Sequence, residues 1–240
     1  MKNKLYTLFF FFIFGFCSNV LSEELKIDAQ EINLDEKNKV IIFSGDVKVE
    51  DTKKNYLQSE KISYKKKDKL VYSPGKTKIS TSEGFKVLGS NITFDDLNKK
   101  IFSDSPAKII DNENNEISVN MFNYQKDKNL FFSKGKIEIN DNRGNRYSLT
   151  ELYIDEKKKK LAGSDIKVFL NQDDFKIDPK NEPRLFANTA IIDSNGSFYD
   201  KGNFTYCKNR GEDKCPPWSI QAKKIEHSAA KKTIYYDNAV

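Results

Sequence analysis

The sequence predicts an all-β chain built from repeated two-strand units, and three observations carry that prediction. Apolar and polar residues alternate at a period of two over stretches of four to six positions, as in Val47-Lys-Val49 and Ile137-Glu-Ile139. Such alternation leaves one face of a strand buried and the other wet. The stretches recur every thirty residues, an interval that marks a repeat architecture. No window of helical length carries apolar residues at spacings of three and four, and β-branched and aromatic residues are abundant.

In chain order, the first element is an address. Lys2 and Lys4 precede the apolar stretch Leu5–Phe16, and small polar residues follow. This is the pattern of a secretory signal peptide over 1–22, too short and wrongly flanked for a membrane span. Val20 and Ser22 suit cleavage before Glu23. A lipid anchor would use Cys17, but Phe16 before it is bulkier than that route prefers. Removing two lysines from a formal charge of +6 leaves +4 on an exported chain, whose remaining cysteines can oxidise.

The repeat then runs from residue 23 to 206. It opens with Ala29, Ile32, Leu34 and Asp35, followed by Val40–Val49 around Gly45. Thirty-residue steps give Ile62, Tyr64 and Tyr72; then Ile92, Phe94 and Phe102; then Phe122, Tyr124 and Phe132, with a weaker copy at Leu152, Ile154 and Leu161. Each unit breaks at a Lys/Asp/Asn cluster such as Lys65-Lys-Lys-Asp68, read as a hairpin turn. Three inward columns are expected: Ile32, Ile62, Ile92 and Phe122; Leu34, Tyr64, Phe94 and Tyr124; Ile42, Tyr72, Phe102 and Phe132. Two-strand units cannot bury a face alone, so neighbours must stack or two sheets must oppose. A sandwich, a solenoid and an open jelly roll all meet that condition. A transmembrane barrel does not, because its outward positions here would be Lys, Asp, Glu and Asn.

Composition removes several function classes. His227 is the only histidine, which argues against a histidine metal site or histidine-based catalysis. Arginine occurs only at 143, 146, 184 and 210, so the positive charge is almost all lysine. Arginine–aromatic clustering of a nucleic-acid binder is missing. The lysine runs 65–67 and 157–160 read as solvated turns that blunt strand edges. Asp173-Asp174 has no partner base, so no catalytic residue, metal or cofactor is expected.

The repeat resembles the OstA-like module of the lipopolysaccharide transport proteins, shared by the periplasmic carrier LptA and the N-terminal domain of LptD. Ala29, Ile32, Leu34, Asp35 and the stretch around Gly45 carry the resemblance. The segment 207–240 carries it further: Gly202-Asn-Phe204-Thr-Tyr-Cys207, Cys215-Pro-Pro-Trp218-Ser-Ile220 and Ala222-Lys-Lys-Ile225-Glu-His227 look like the end of the LptD N-terminal domain. The resemblance implies an elongated β-jelly roll of two facing sheets whose groove, lined by the three columns, shelters the acyl chains of lipopolysaccharide. It also implies an LptA-like carrier docked by strand pairing, and, in the longer protein, an outer-membrane barrel with its plug lipoprotein. The family barrel would follow the last repeat, where this chain stops at Val240 inside a strand, so a fragment is expected, with a stand-alone carrier as the alternative. For the cysteines, a local Cys207–Cys215 bridge is expected, whereas the family pattern would pair Cys207 with the barrel. A structural β-repeat protein without a lipid ligand is the rival from another class.

Overall fold

The computed structural model describes residues 26–171, 181–208, 216–228, 230–231 and 233–240. The leader, Cys17, Asp173-Asp174 and Cys215 lie outside the described residues. Among the described residues, nineteen strands join in one antiparallel sheet, as the period-two pattern predicts. The chain runs back and forth, and each long strand or pair of short strands makes one rung that bends at its middle.

The first rungs are β1 (Lys26–Asp28) with β2 (Glu31–Asp35), then β3 (Val40–Glu50) and β4 (Tyr56–Lys65). The middle rungs are split into short pairs: β5 (Leu70–Ser73) with β6 (Thr77–Ser80), and β7 (Lys86–Gly89) with β8 (Ile92–Asp95). Next come β9 (Lys100–Ser103) with β10 (Ala107–Ile110), and β11 (Glu116–Val119) with β12 (Phe122–Gln125). The remaining rungs are single long strands: β13 (Leu130–Asn140), β14 (Arg146–Asp155), β15 (Lys160–Phe169) and β16 (Arg184–Asp193). They end with β17 (Gly196–Thr205), β18 (Ile220–Ser228) and β19 (Thr233–Ala239). Residues 220–240 thus continue the same sheet.

The bend divides every rung between two ladders. The first ladder joins β2, Val40–Ser44, Lys61–Lys65, β5, β8, β9, β12 and the start of β13. The second joins β1, Val47–Glu50, Tyr56–Ser59, β6, β7, β10, β11 and the end of β13. From β13 onward, whole strands serve both ladders, with the register shifting between Lys134 and Ile137 as it does between Ser44 and Val47. Gly45 and Gly135 take left-handed φ values of 81° and 99° at these two shifts, a backbone state in which other residues are strained. The two ladders share one continuous apolar core. About fourteen rungs at ~4.8 Å give the slab a length of roughly 60 Å.

A serine ladder lines the bend. Ser73, Ser103 and Ser133, thirty residues apart, are each at most 1% exposed. A bent rung leaves backbone carbonyls that the neighbouring strand cannot reach, and buried carbonyls need partners. Ser103 Oγ donates to the Ser90 carbonyl at 2.7 Å and Ser133 Oγ to the Met121 carbonyl at 2.8 Å. Ser73 instead bonds the hydroxyls of Ser59 at 2.7 Å and Thr77 at 2.6 Å. The next copy of this position is Gly163, where a Cβ would meet Leu149 Cδ2 at 2.7 Å.

Candidate functional site

Cross-strand register assigns every residue to a face. One inner column of the first ladder runs Leu34, Ile41, Tyr64, Val71, Phe94, Ile101, Tyr124, Phe131, Ile154 and Leu161. It lies beside the hairpin turns, at the outer margin of the slab. A second inner column, nearer the bend, includes Ile32, Phe43, Ile62, Ile92, Phe122 and Leu152. Two of the three expected columns therefore do face inward, and they occupy adjacent positions on the same ladder.

The third expected column faces the other way. Ile42 pairs across from Ser63, Tyr72 from Ser63 and Thr93, Phe102 from Thr93 and Asn123, and Phe132 from Asn123 and Tyr153. These positions lie on the outer face, and Tyr72 and Tyr153 are 37% and 50% exposed. The inward residues are their neighbours Ile41, Val71, Ile101 and Phe131. A shift of one residue along a strand exchanges its faces.

Burial distinguishes the two inner columns. Ile62, Ile92 and Phe122 are 2%, 0% and 3% exposed and belong to the packed core. Tyr64, Phe94, Ile101, Tyr124, Ile154 and Leu161 pack against that core but remain partly exposed. They form a half-open apolar margin along the first ladder. At the beginning of the ladder, Ile32 and Leu34 are each 63% exposed, because among the described residues no strand covers β2 on its far side.

Two rows of turns border this margin. The first ladder ends in turns at 36–39, 66–69, 96–99, 126–129 and 156–159, and again at 193–196. Backbone bonds stitch neighbouring turns together: Asp96 N–H to the Lys69 carbonyl at 3.2 Å, Lys126 to Lys99 at 2.8 Å and Glu156 to Asn129 at 3.1 Å. The second ladder ends in turns around 51–55, 81–85, 111–115 and 141–145. There, side-chain amides do part of the stitching. Asn55 Oδ1 accepts from Ser82 N–H at 3.1 Å, and Asn115 Oδ1 from Asn142 N–H at 2.9 Å.

The charges of the two rows act on one another. Burial raises the Asp51 carboxyl, but hydrogen bonds from the Asn55 side chain and nearby amides outweigh it, and Lys126 of the other row helps hold the group below its ordinary range. Tyr124 is pushed up by burial first, then by its 2.8 Å hydrogen bond to Glu156, with Glu83 of the opposite row adding to the shift. Tyr147 is also raised, by burial and then by the Asp141 carboxylate. Charges of the two turn rows thus act on one another beside the apolar margin.

The cysteine–tryptophan segment has a separate role in packing. Buried Cys207 donates its Sγ to the Trp218 carbonyl at 3.7 Å, and Thr205 Oγ1 donates to the same carbonyl at 2.8 Å. Tyr206 meets the Trp218 ring edge to face at 4.4 Å. Arg184, only 5% exposed, donates to the Cys207 carbonyl at 2.7 Å and the Glu182 carbonyl at 3.1 Å. His227 is an exposed residue of β18. Among the described residues, no cluster of three or more His, Cys, Asp or Glu side chains is placed to hold a metal ion.

No protein-family description and no curated relative matches the chain. One solved structure similar to it is the crystal structure of LptH from Pseudomonas aeruginosa, described as the LptA-homologous periplasmic component of the conserved lipopolysaccharide transport device. The likeness has a TM-score of 0.42 at 19% identity and covers 47% of this chain and 82% of that one. Function is accordingly read from the chain's own geometry.

Proposed function

We propose that the protein works in lipopolysaccharide transport outside the cytoplasm, sheltering acyl chains along the half-open margin of the first ladder. The observation that carries this reading is the margin itself: Tyr64, Phe94, Ile101, Tyr124, Ile154 and Leu161 are apolar, in register and only partly covered. Burying a CH₂ group is worth about 0.8 kcal/mol, so a fourteen-carbon chain left in water costs on the order of 10 kcal/mol. A continuous strip of similar side chains offsets that cost at successive positions, so a chain can slide with little change in free energy. The buried Ile62, Ile92 and Phe122 support the strip from beneath.

The open ends of the ladders suit pairing with a like-folded carrier. Among the described residues β1 and β2 pair only with β3, and β19 only with β18. Ile27, Ile32 and Leu34 at one end and Ile234 and Tyr235 at the other are exposed. Unpaired strands of this kind are templates for strand addition. Assignment to the LptD N-terminal domain, with a barrel and plug lipoprotein as further partners, rests on Phe204-Thr-Tyr-Cys207 and Trp218.

The adjacent residues Ile101 and Phe102 provide the test, because they face opposite ways. A photo-crosslinking side chain at 101 is expected to capture lipopolysaccharide, and one at 102 is not. Equal capture at both, or none at either, refutes the margin as the lipid path. The densely packed inner column favours one other reading, a structural β-repeat protein, and absence of adducts at 94, 101 and 124 would support it.

A further inference from the structure

Lysine is abundant throughout the chain, yet the fold segregates it. Five first-ladder turns, 36–39, 66–69, 96–99, 126–129 and 156–159, hold eleven lysines against five acids, a net +6, and the later turn at 193–196 holds Asp193 and no lysine. The four second-ladder turns, 51–55, 81–85, 111–115 and 141–145, hold Lys53, Lys54 and Arg143 against five acids, a net −2. A compositional bias toward lysine would act on both rows alike, so it does not account for the difference.

Backbone conformation separates the rows in the same way. Both use a left-handed residue in each turn, thirty residues apart. In the second row these are Lys54, Gly84, Asn114 and Gly144; in the first they are Lys39, Lys69, Lys99, Asn129 and Lys159, with φ between 48° and 54°. Glycine and asparagine tolerate this state, whereas other L-residues are strained there. The five turns from 36–39 to 156–159 thus keep lysine at four of their five strained positions. The turns from 66–69 to 156–159 are joined through the backbone, which leaves their alignment independent of the lysine side chains. All four residues of the 66–69 and 156–159 turns are exposed.

This basic row adjoins the half-open apolar column along its length: Tyr64 is followed by the 66–69 turn, Phe94 by 96–99, Tyr124 by 126–129 and Ile154 by 156–159. A lone charged row or a lone apolar strip would suit many partners. Side by side they match an amphiphile bearing phosphate next to acyl chains. We infer that the first-ladder turn row is a phosphate-binding rail that fixes the orientation of the lipid along the apolar margin. This deepens the lipid-transport reading and rests on it.

Calorimetric titration at low salt with dodecyl phosphate, dodecyl maltoside and inorganic phosphate, each amphiphile below its micelle concentration, separates the possibilities. The protein is expected to bind dodecyl phosphate about tenfold more tightly than dodecyl maltoside, with the gain screened away by salt. In the variant Lys66→Gln/Lys67→Gln/Lys126→Gln/Lys128→Gln the two amphiphiles should bind alike. The control Lys61→Gln/Lys78→Gln/Lys86→Gln/Lys167→Gln loses the same charge from exposed strand positions and should keep the preference. An undiminished preference in the rail variant, or an equal loss in the control, overturns the rail. So does inorganic phosphate binding as tightly as dodecyl phosphate, which would indicate a free-anion site. Binding of both amphiphiles without a preference overturns the rail alone, whereas failure of both amphiphiles to bind overturns the lipid reading and the rail together.

Discussion

Replacing Ser103 by alanine tests whether the bend is held by its serine ladder. Ser103 is 1% exposed; its Oγ donates to the Ser90 carbonyl at 2.7 Å and accepts the Ser105 N–H at 3.0 Å. Alanine fits the space, so the perturbation is chemical rather than steric. It strips two part-buried backbone groups of their partner, each worth about 1–3 kcal/mol when left unsatisfied away from water, so a loss of roughly 2–4 kcal/mol is expected. For a chain of this size that corresponds to a fall of roughly 5–15 °C in melting temperature. Urea unfolding followed by circular dichroism should show a lower midpoint at unchanged slope. Ser118→Ala, at an exposed position on β11, provides the comparison and should change stability by no more than about 0.5 kcal/mol. If Ser103→Ala is as mild as Ser118→Ala, the corner carbonyl does not depend on the hydroxyl and the account of the bend is wrong.

Two further stability predictions concern the first-ladder turns. Lys69→Gly relieves a left-handed residue at φ 48° and should stabilise the protein by about 0.5–1 kcal/mol after glycine's extra chain entropy is deducted; a lower melting temperature would contradict the strain argument. Asp35 and Asp95 are held below the ordinary carboxylate range by hydrogen bonds from Asn38 and Asn98, and Asp155 by hydrogen bonds from Lys158. Because their folded values are depressed, their contribution is full above the unfolded value near pH 4 and is lost as pH falls through the folded values. Urea midpoints measured between pH 7 and pH 2 should therefore decline below about pH 4, and less steeply for Asp35→Asn/Asp95→Asn/Asp155→Asn. Superimposable curves would remove these carboxylates from the explanation.

The thirty-residue interval, the strands and their turns were legible because each leaves a local signature: alternation within strands and polar clusters between them. The inward columns through Ile62 and Tyr64 were legible too, since polar residues separate them along the strand. The error at Ile42, Tyr72, Phe102 and Phe132 has a physical cause. In Val40-Ile-Ile-Phe43, Ile101-Phe102 and Phe131-Phe132, consecutive apolar residues occupy both faces, so periodicity alone leaves the parity open. Cross-strand register fixes it, and that is a long-range property. The corner serines were hidden for the opposite reason. A polar residue in an alternating strand reads as solvent-facing, and only the bend explains why Ser73, Ser103 and Ser133 point inward. The segregation of lysine was equally invisible, because alternate turns interleave along the chain and separate into two rows only when the rungs are stacked.

That stacking makes every rung answerable only to the one before and the one after it. Thirty residues add two rungs, or about 10 Å of reach, and do so without altering the cross-section. The span of such a protein is consequently a modular quantity: duplication or deletion of a whole period would lengthen or shorten the slab while preserving both margins, whereas an insertion out of phase would turn the apolar faces outward from that point on.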